Sequence, residues 1–287
     1  MRVPRFWAVA EGSAAGRRGE RLFRRTWGWS MSSAAEALSV AHERLQSALT
    51  EMRSGSREGG YYPRVPLREP ILDEVLVDDE QALVVTRNRY GAEILNTDRL
   101  LIADIDLPQI FGGGLLRWLF PRYPAETAAA LEEPTVVVKR LRKVAKWAAA
   151  NPGLGVIAYR TASGLRVFVT GVEEPATSEQ GQRILAELGA DRIYRQLCRT
   201  HGTFRARLTP KPWRLPGMKA PHGRWPYPDG EAELRFQRWL ADYEAAASRY
   251  AVCRRLATHG RAPSALESQI IRLHEERTRV SVSLPLA

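Results

Sequence analysis

The sequence predicts an α+β fold, a mixed or antiparallel sheet with helical covers and a helical C-terminal segment. Three observations carry this prediction. Short apolar runs meet across Asn88–Gly91 and across Ala162–Gly164 in the manner of hairpins. Stretches with apolar residues at helical spacing lie between them. A chain of 287 residues with 44% hydrophobic side chains is also large enough to bury a sizeable core. Strands interrupted by helices over residues 81–208 then give the class.

The elements follow in order. Residues 3–30 read as two short strands, FWAVAEG and RLFRRTWGWS, around a Gly/Arg-rich turn. Ser33-x-x-Glu36 has the spacing of a capping box, and Leu38, Ala41, Leu45, Leu49 and Met52 recur behind it at helical intervals. RSGSREGG ends that helix in a loop. A strand-like VLV follows among prolines, then ALVVT and AEILN as the arms of a hairpin. LLIADIDLP is a strand whose first half is continuously apolar, which predicts burial on both faces. Gly112, Gly113 and Gly114 lie in a long loop that lacks the Lys-Ser/Thr of a phosphate-binding loop.

Pro134 opens a helix carried by Val137, Leu141, Val144, Ala145 and Ala148 and closed by Asn151-Pro152-Gly153. GVIAYRT and LRVFVTG form the next hairpin. Ser178 caps a helix that closes at Gly189, and Asp191 begins another. FRARL reads as a strand and the proline-rich stretch to Pro228 as a structured loop. Residues 231–276 read as two helices broken near Gly260–Pro263; His259 and His274 on them, like His42 on the first helix, have no ligand-spaced partner. Three segments result: residues 1–80 packing on the core, the core itself at 81–228, and the C-terminal helical segment at 229–287.

Composition excludes several classes. No run approaches the roughly 18 apolar residues of a membrane span, and FWAVA is interrupted by Glu11 and Gly12 too early for a secretory signal. Cys198 and Cys253 form no CxxC, which argues against a disulfide framework and a thiolate zinc site. A reducing, cytoplasmic setting is expected.

Charge points the other way, toward a partner. Forty-three Lys and Arg against 32 Asp and Glu give a net +11. The stretch from Arg192 to Arg224 holds nine of the basic residues and no acid, with Tyr194, Phe204, Trp213 and Trp225 among them. Cations track phosphates and flat rings stack on bases, so this mixture favours nucleic acid.

Asp104 and Asp106 are the sharpest chemical signal. At i and i+2 on a strand, both carboxylates project from one face as the strand leaves the sheet. Two carboxylates so close repel each other unless a cation intervenes, and Mg²⁺ or Mn²⁺ with substrate phosphates is the usual solution. The plainer alternative has one aspartate capping a turn before Pro108 and the other facing water. Arg160, near a strand end, either reaches a phosphate or pairs with Glu93 or another acid.

A strand ending in Asp-x-Asp, a helix, and a hairpin with a Ser-Gly turn together resemble the catalytic core of archaeo-eukaryotic primases and primase-polymerases. The resemblance covers roughly residues 98–214 and is one of pattern. Ile102-Ala103-Asp104-Ile105-Asp106 matches the metal-binding motif. Ser163-Gly164-Leu165-Arg166 stands where the family carries a small residue and a histidine that contacts nucleotide phosphates. Ala190-Asp191 is similar to the third motif, and RARLTPKPWR, residues 205–214, to the basic segment after it.

The resemblance implies a primase-like nucleotidyltransferase acting on nucleic acid by two-metal phosphoryl transfer with Mg²⁺ or Mn²⁺, with Asp104, Asp106 and Asp191 catalytic and the first two holding metal. It implies that Ser163, Arg166 and Arg160 bind the nucleoside triphosphate, and that Arg205, Arg207, Lys211, Trp213 and Arg214 bind DNA or RNA. A helicase or replication partner would act in trans. The family's histidine is Arg166 here, which binds phosphate but donates no proton at neutral pH. Asp191 reads equally as a helix N-cap. The alternative function is a primase-like protein of replication or a mobile element that binds nucleic acid without catalysis. Haloacid-dehalogenase-type phosphatases also open on a strand and DxD, but Pro108 replaces their Thr or Val. DxD glycosyltransferases leave the basic run without a role.

Overall fold

A computed structural model describes residues 1–15, 20–54, 66–107 and 133–287. The expected loops at Gly55–Gly60 and Gly112–Gly114, and Pro108, lie outside these residues. The fold is α+β, with its described strands in antiparallel sheets. Two compact units are present, Arg2–Ile71 and Leu72–Ala287, the second also taking in Met1.

In the first unit β1 (Phe6–Ala15) pairs antiparallel with β2 (Arg21–Ser30), from Phe6 opposite Ser30 to Ala15 opposite Arg21. Helix α1 (Ala34–Ser54) covers this hairpin, and Ala41, Leu45 and Leu49 cluster with Ala10 and Ala14. Leu38, expected on that face, is 42% exposed, and Ala37 takes the buried position. The small residue is required by close approach. A Cβ on Gly28 of β2 would sit 2.1 Å from the Ala37 carbonyl oxygen, so helix and strand meet backbone to backbone. Only half of the expected capping box forms. Ser33 Oγ accepts from the Glu36 amide at 3.1 Å, while the Glu36 carboxylate accepts from Ser30 Oγ at 2.5 Å.

The second unit holds two four-stranded antiparallel sheets. One has the order β3 (Ile71–Val77), β4 (Glu80–Arg87), β5 (Glu93–Thr97), β9 (Phe204–Arg207). The other has the order β10 (Cys253–Gly260), β7 (Gly155–Thr161), β8 (Gly164–Thr170), β6 (Leu101–Asp106). Both expected hairpins are present. Leu101, Ile102 and Ala103 are fully buried, as their continuous apolar run predicts.

Helix α2 (Thr135–Ala150) buries Val137, Val144 and Ala148 in a core it shares with β7 and β8. Helices α3 (Glu179–Glu187) and α4 (Arg192–His201) follow, capped by Ser178 and Asp191 and separated by Gly189 in the left-handed conformation, with φ +77°. A 3-10 turn at Pro212–Arg214 orders the proline-rich loop. Helix α5 (Gly230–Ala247) packs Tyr243 and Ala247 with Leu215 and Ala287. Helix α6 (Ala265–Thr278) buries Ile270, Ile271 and His274 and carries a complete capping box between Ser264 and Glu267.

One element corrects the sequence expectation. The stretch between α5 and α6 contains a strand, β10, and His259 lies on it and not on a helix. The strand pairs antiparallel with β7 at the edge of its sheet, and its register shifts between Arg255 and Ala257. CRRLATHG at the sheet edge is largely polar and offers no unbroken apolar run by which a strand is recognised.

Candidate metal and phosphate site

Strand β6 ends at Asp106, and its neighbours converge there. In the β6–β8 ladder Asp104 lies opposite Arg166 and Asp106 opposite Gly164. A Cβ on Gly164 would stand 2.0 Å from the Ile105 carbonyl oxygen, so only glycine lets β8 approach β6 this closely. The Leu107 amide then donates to the Ser163 carbonyl at 3.2 Å, which seats the β7–β8 turn against the exit of β6. On the other side the Asp191 amide donates to the Asp104 carbonyl at 3.0 Å. Asp191 is the N-cap of α4, its Oδ1 accepting from the Tyr194 amide at 2.9 Å. Asp191 thus caps the helix, as one of its two readings expects, and its charge also acts on Asp106.

Tyr194, counted in the sequence among the aromatics of the basic run, instead ties the sheets together. Its hydroxyl donates to the Ile102 carbonyl of β6 at 2.6 Å and accepts from the Arg205 amide of β9 at 3.3 Å. The end of β9 and the 3-10 turn behind it are thereby delivered to the aspartates. Arg214 Nη2 donates to Ser163 Oγ at 2.9 Å.

Arg166 is buried, and its described contacts are all within the protein. Nε lies 3.5 Å from Asp104 Oδ1. Nη1 donates to the Arg207 carbonyl at 2.8 Å and lies 3.2 Å from His274 Nε2 and 3.6 Å from Cys253 Sγ. Burial and the Arg166 charge hold His274 neutral, well below the usual histidine range, which leaves Nε2 free to accept. Arg166 is thus a brace behind Asp104, its guanidinium engaged by Asp104, the Arg207 carbonyl and His274. His274 and Cys253 gave no sequence signal, because they stand 108 and 87 residues from Arg166.

The electrostatics are crowded on both signs. Partial burial, then repulsion from Asp104 and Asp191, raises the Asp106 carboxyl above its ordinary range, while Lys211 and Arg214 pull it down. Burial, with Arg207 and Arg214 alongside, lowers the Lys211 ammonium to about 8 despite the attraction of Asp104 and Asp106. Arg207 falls to about 10 through burial and through Arg166 and Arg214, with Asp104 opposing. Carboxylates that repel favour a bound cation, and cations that repel favour a bound anion.

The structure therefore brings together Asp104, Asp106, Asp191, Ser163, Arg166, Arg207, Lys211 and Arg214. It does not bring in the others. Arg160 is buried behind the hairpin turn, its Nε 3.3 Å from Glu133 and its Nη1 donating to the Gly164 carbonyl at 3.0 Å; the acid it meets is Glu133 and not Glu93. Arg205 lies on β9 opposite Asn96, and its charge acts on Cys198. Trp213 turns outward toward Tyr90.

Among the described residues no group of three or more His, Cys, Asp or Glu side chains is gathered closely enough to hold an ion by itself. The donor set nevertheless suits Mg²⁺ or Mn²⁺, which take one or two carboxylates and complete their shell with water and substrate phosphates. Among the described residues no helix is long and apolar enough to cross a membrane. No family model, curated protein or solved structure matches the chain.

Proposed function

We propose that this protein is a primase-like nucleotidyltransferase that acts on nucleic acid by metal-assisted phosphoryl transfer. One observation carries the reading. Asp104 and Asp106 at the end of β6 share their surroundings with Asp191 and with three cations, Arg207, Lys211 and Arg214, delivered by distant segments. Carboxylates for a divalent ion beside cations for a polyphosphate form the complement of a metal-bound nucleoside triphosphate.

In this reading Asp104 and Asp106 hold Mg²⁺ or Mn²⁺. The bound ion supplies charge neutralisation at the attacked phosphate and activation of the attacking 3′-hydroxyl. The protein's own groups do the rest. Lys211 and Arg214 orient the triphosphate, and Arg207 adds charge from β9. Ser163, held by Arg214, presents a hydroxyl at the hairpin turn. Arg166 fixes Asp104 and transfers no proton.

The test is labelled nucleotide incorporation with Mg²⁺ or Mn²⁺ on primed and unprimed single-stranded templates. Wild type is expected to incorporate, and the folded Asp104→Ala/Asp106→Ala variant to lose incorporation entirely. Full activity in that variant would sink the mechanism. A second reading, a binding protein without catalysis, is favoured by the Arg166–Asp104 pair, which already compensates one of the two carboxylates. It is the better reading if the folded wild type binds DNA yet incorporates on no template.

A further inference from the structure

Beside the aspartates lie two aromatic rings that the phosphoryl-transfer reading does not use. The 3-10 turn that sends Lys211 and Arg214 toward the aspartates leaves Trp213 between them 47% exposed. An indole is a large apolar surface to leave in water. Its neighbour is Tyr90, from the β4–β5 turn, which meets it edge to face with ring centroids 5.2 Å apart and planes at 86°.

Both rings are dressed with cations. The Arg89 guanidinium lies 4.6 Å from the Tyr90 ring centre, and Lys211 Nζ lies 5.8 Å from that of Trp213. Both turns are also built before any partner arrives. Asn88 Oδ1 accepts from the Tyr90 and Ala92 amides at 2.9 and 3.1 Å, and the Arg214 amide donates to the Lys211 carbonyl at 2.9 Å. Binding to these rings therefore costs little ordering entropy.

The charge decides what covers them. An apolar protein partner would have to desolvate Arg89 and Lys211 without compensation. A polyanion that carries its own flat rings satisfies cations and aromatics together. In a duplex the base faces are already stacked on one another, whereas an unpaired strand can present one.

We infer that Trp213, with Tyr90 and Arg89, forms a stacking platform for an unpaired base of single-stranded nucleic acid, whose backbone meets Lys211 and Arg214 only while no nucleoside triphosphate occupies them. The inference rests on the nucleic-acid part of the reading above and narrows it to an unpaired strand. It needs neither metal nor turnover.

Fluorescence anisotropy tests it, with the whole chain, EDTA, low salt and a labelled oligothymidylate of about 15 nucleotides. Trp213→Ala is expected to weaken strand binding about 5- to 100-fold, the loss of one base–aromatic stack. Trp213→Phe should recover most of it, and Tyr90→Ala should give a smaller loss in the same direction. Loss of a ring removes no phosphate contact, so the salt dependence of Trp213→Ala should match that of the wild type. Duplex of equal length should bind more weakly than the strand and be unaffected by Trp213→Ala.

The platform is overturned by strand affinity of Trp213→Ala within twofold of wild type, by equal losses on strand and duplex, or by no strand binding at all. A loss confined to free nucleoside triphosphate also overturns it, since the ring would then serve the substrate base. The two proposals fail separately. Trp213-dependent strand binding without incorporation on any template leaves the platform and removes the enzyme. Incorporation with Trp213-independent binding does the reverse.

Discussion

Arg166 keeps its charge where water barely reaches it, and three neutral acceptors surround one of its nitrogens: the Arg207 carbonyl, His274 and Cys253. Its described anionic partner is Asp104, whose side chain is 40% exposed. The two aspartates should therefore differ in what they contribute to folding. Asp104→Asn leaves a buried guanidinium without its counter-charge, a cost of about 1 kcal/mol once the exposure of Asp104 is allowed for. Asp106 has the opposite balance, since Asp104 and Asp191 both repel it. Asp106→Asn should leave stability within about 0.5 kcal/mol of wild type. Both variants should lose nucleotide incorporation. Urea denaturation of the two, read beside their activity, checks the contrast. Equal stability losses would mean that Arg166 does not depend on Asp104.

At the level of elements the site depends on how closely β8 approaches β6. Gly164 makes that approach possible, because a Cβ there would sit 2.0 Å from a backbone oxygen of β6. Gly164→Ala must push the strands apart at the residue pair that contains Asp106. We expect a loss of about 1–3 kcal/mol from overpacking, with incorporation falling further than stability because the displaced strand carries the carboxylates. Thermal denaturation and activity measured on one preparation test this, and an unchanged melting temperature would refute the close approach. The same contact shows what the sequence could and could not reveal. The strands, the hairpin turn and the paired aspartates were legible because their signals are local: an unbroken apolar run, an Ala-Ser-Gly turn, an i, i+2 spacing. Strand β10 was not, since CRRLATHG at the sheet edge is largely polar and offers no such run. The Leu38 error was one of phase, since Ala37 turned out to be the residue that meets β2. Tyr194, His274 and Cys253 acquire their positions only through packing between residues far apart in the chain, and no spacing rule reports that.

For the whole molecule, net charge and site chemistry make separable predictions. The +11 charge acts on any polyanion and through many weak contacts, whereas in the proposed mechanism the aspartates would act on one phosphate through a bound ion. Removing divalent metal with EDTA should therefore abolish incorporation and leave strand binding intact. Salt should do the reverse. If Arg89, Arg207, Lys211 and Arg214 each neutralise a phosphate, the logarithm of the binding constant should fall against the logarithm of salt with a slope of about −3 for a single strand. Lys211→Ala should reduce that slope by about 0.7, with the metal requirement of the reaction unchanged. Strand affinity followed across a salt series, with and without Mg²⁺, separates the two contributions. A slope near zero would mean that the basic run serves packing and solubility and does not face nucleic acid. A slope that vanished only on adding EDTA would mean that the metal, and not the arginines, holds the strand.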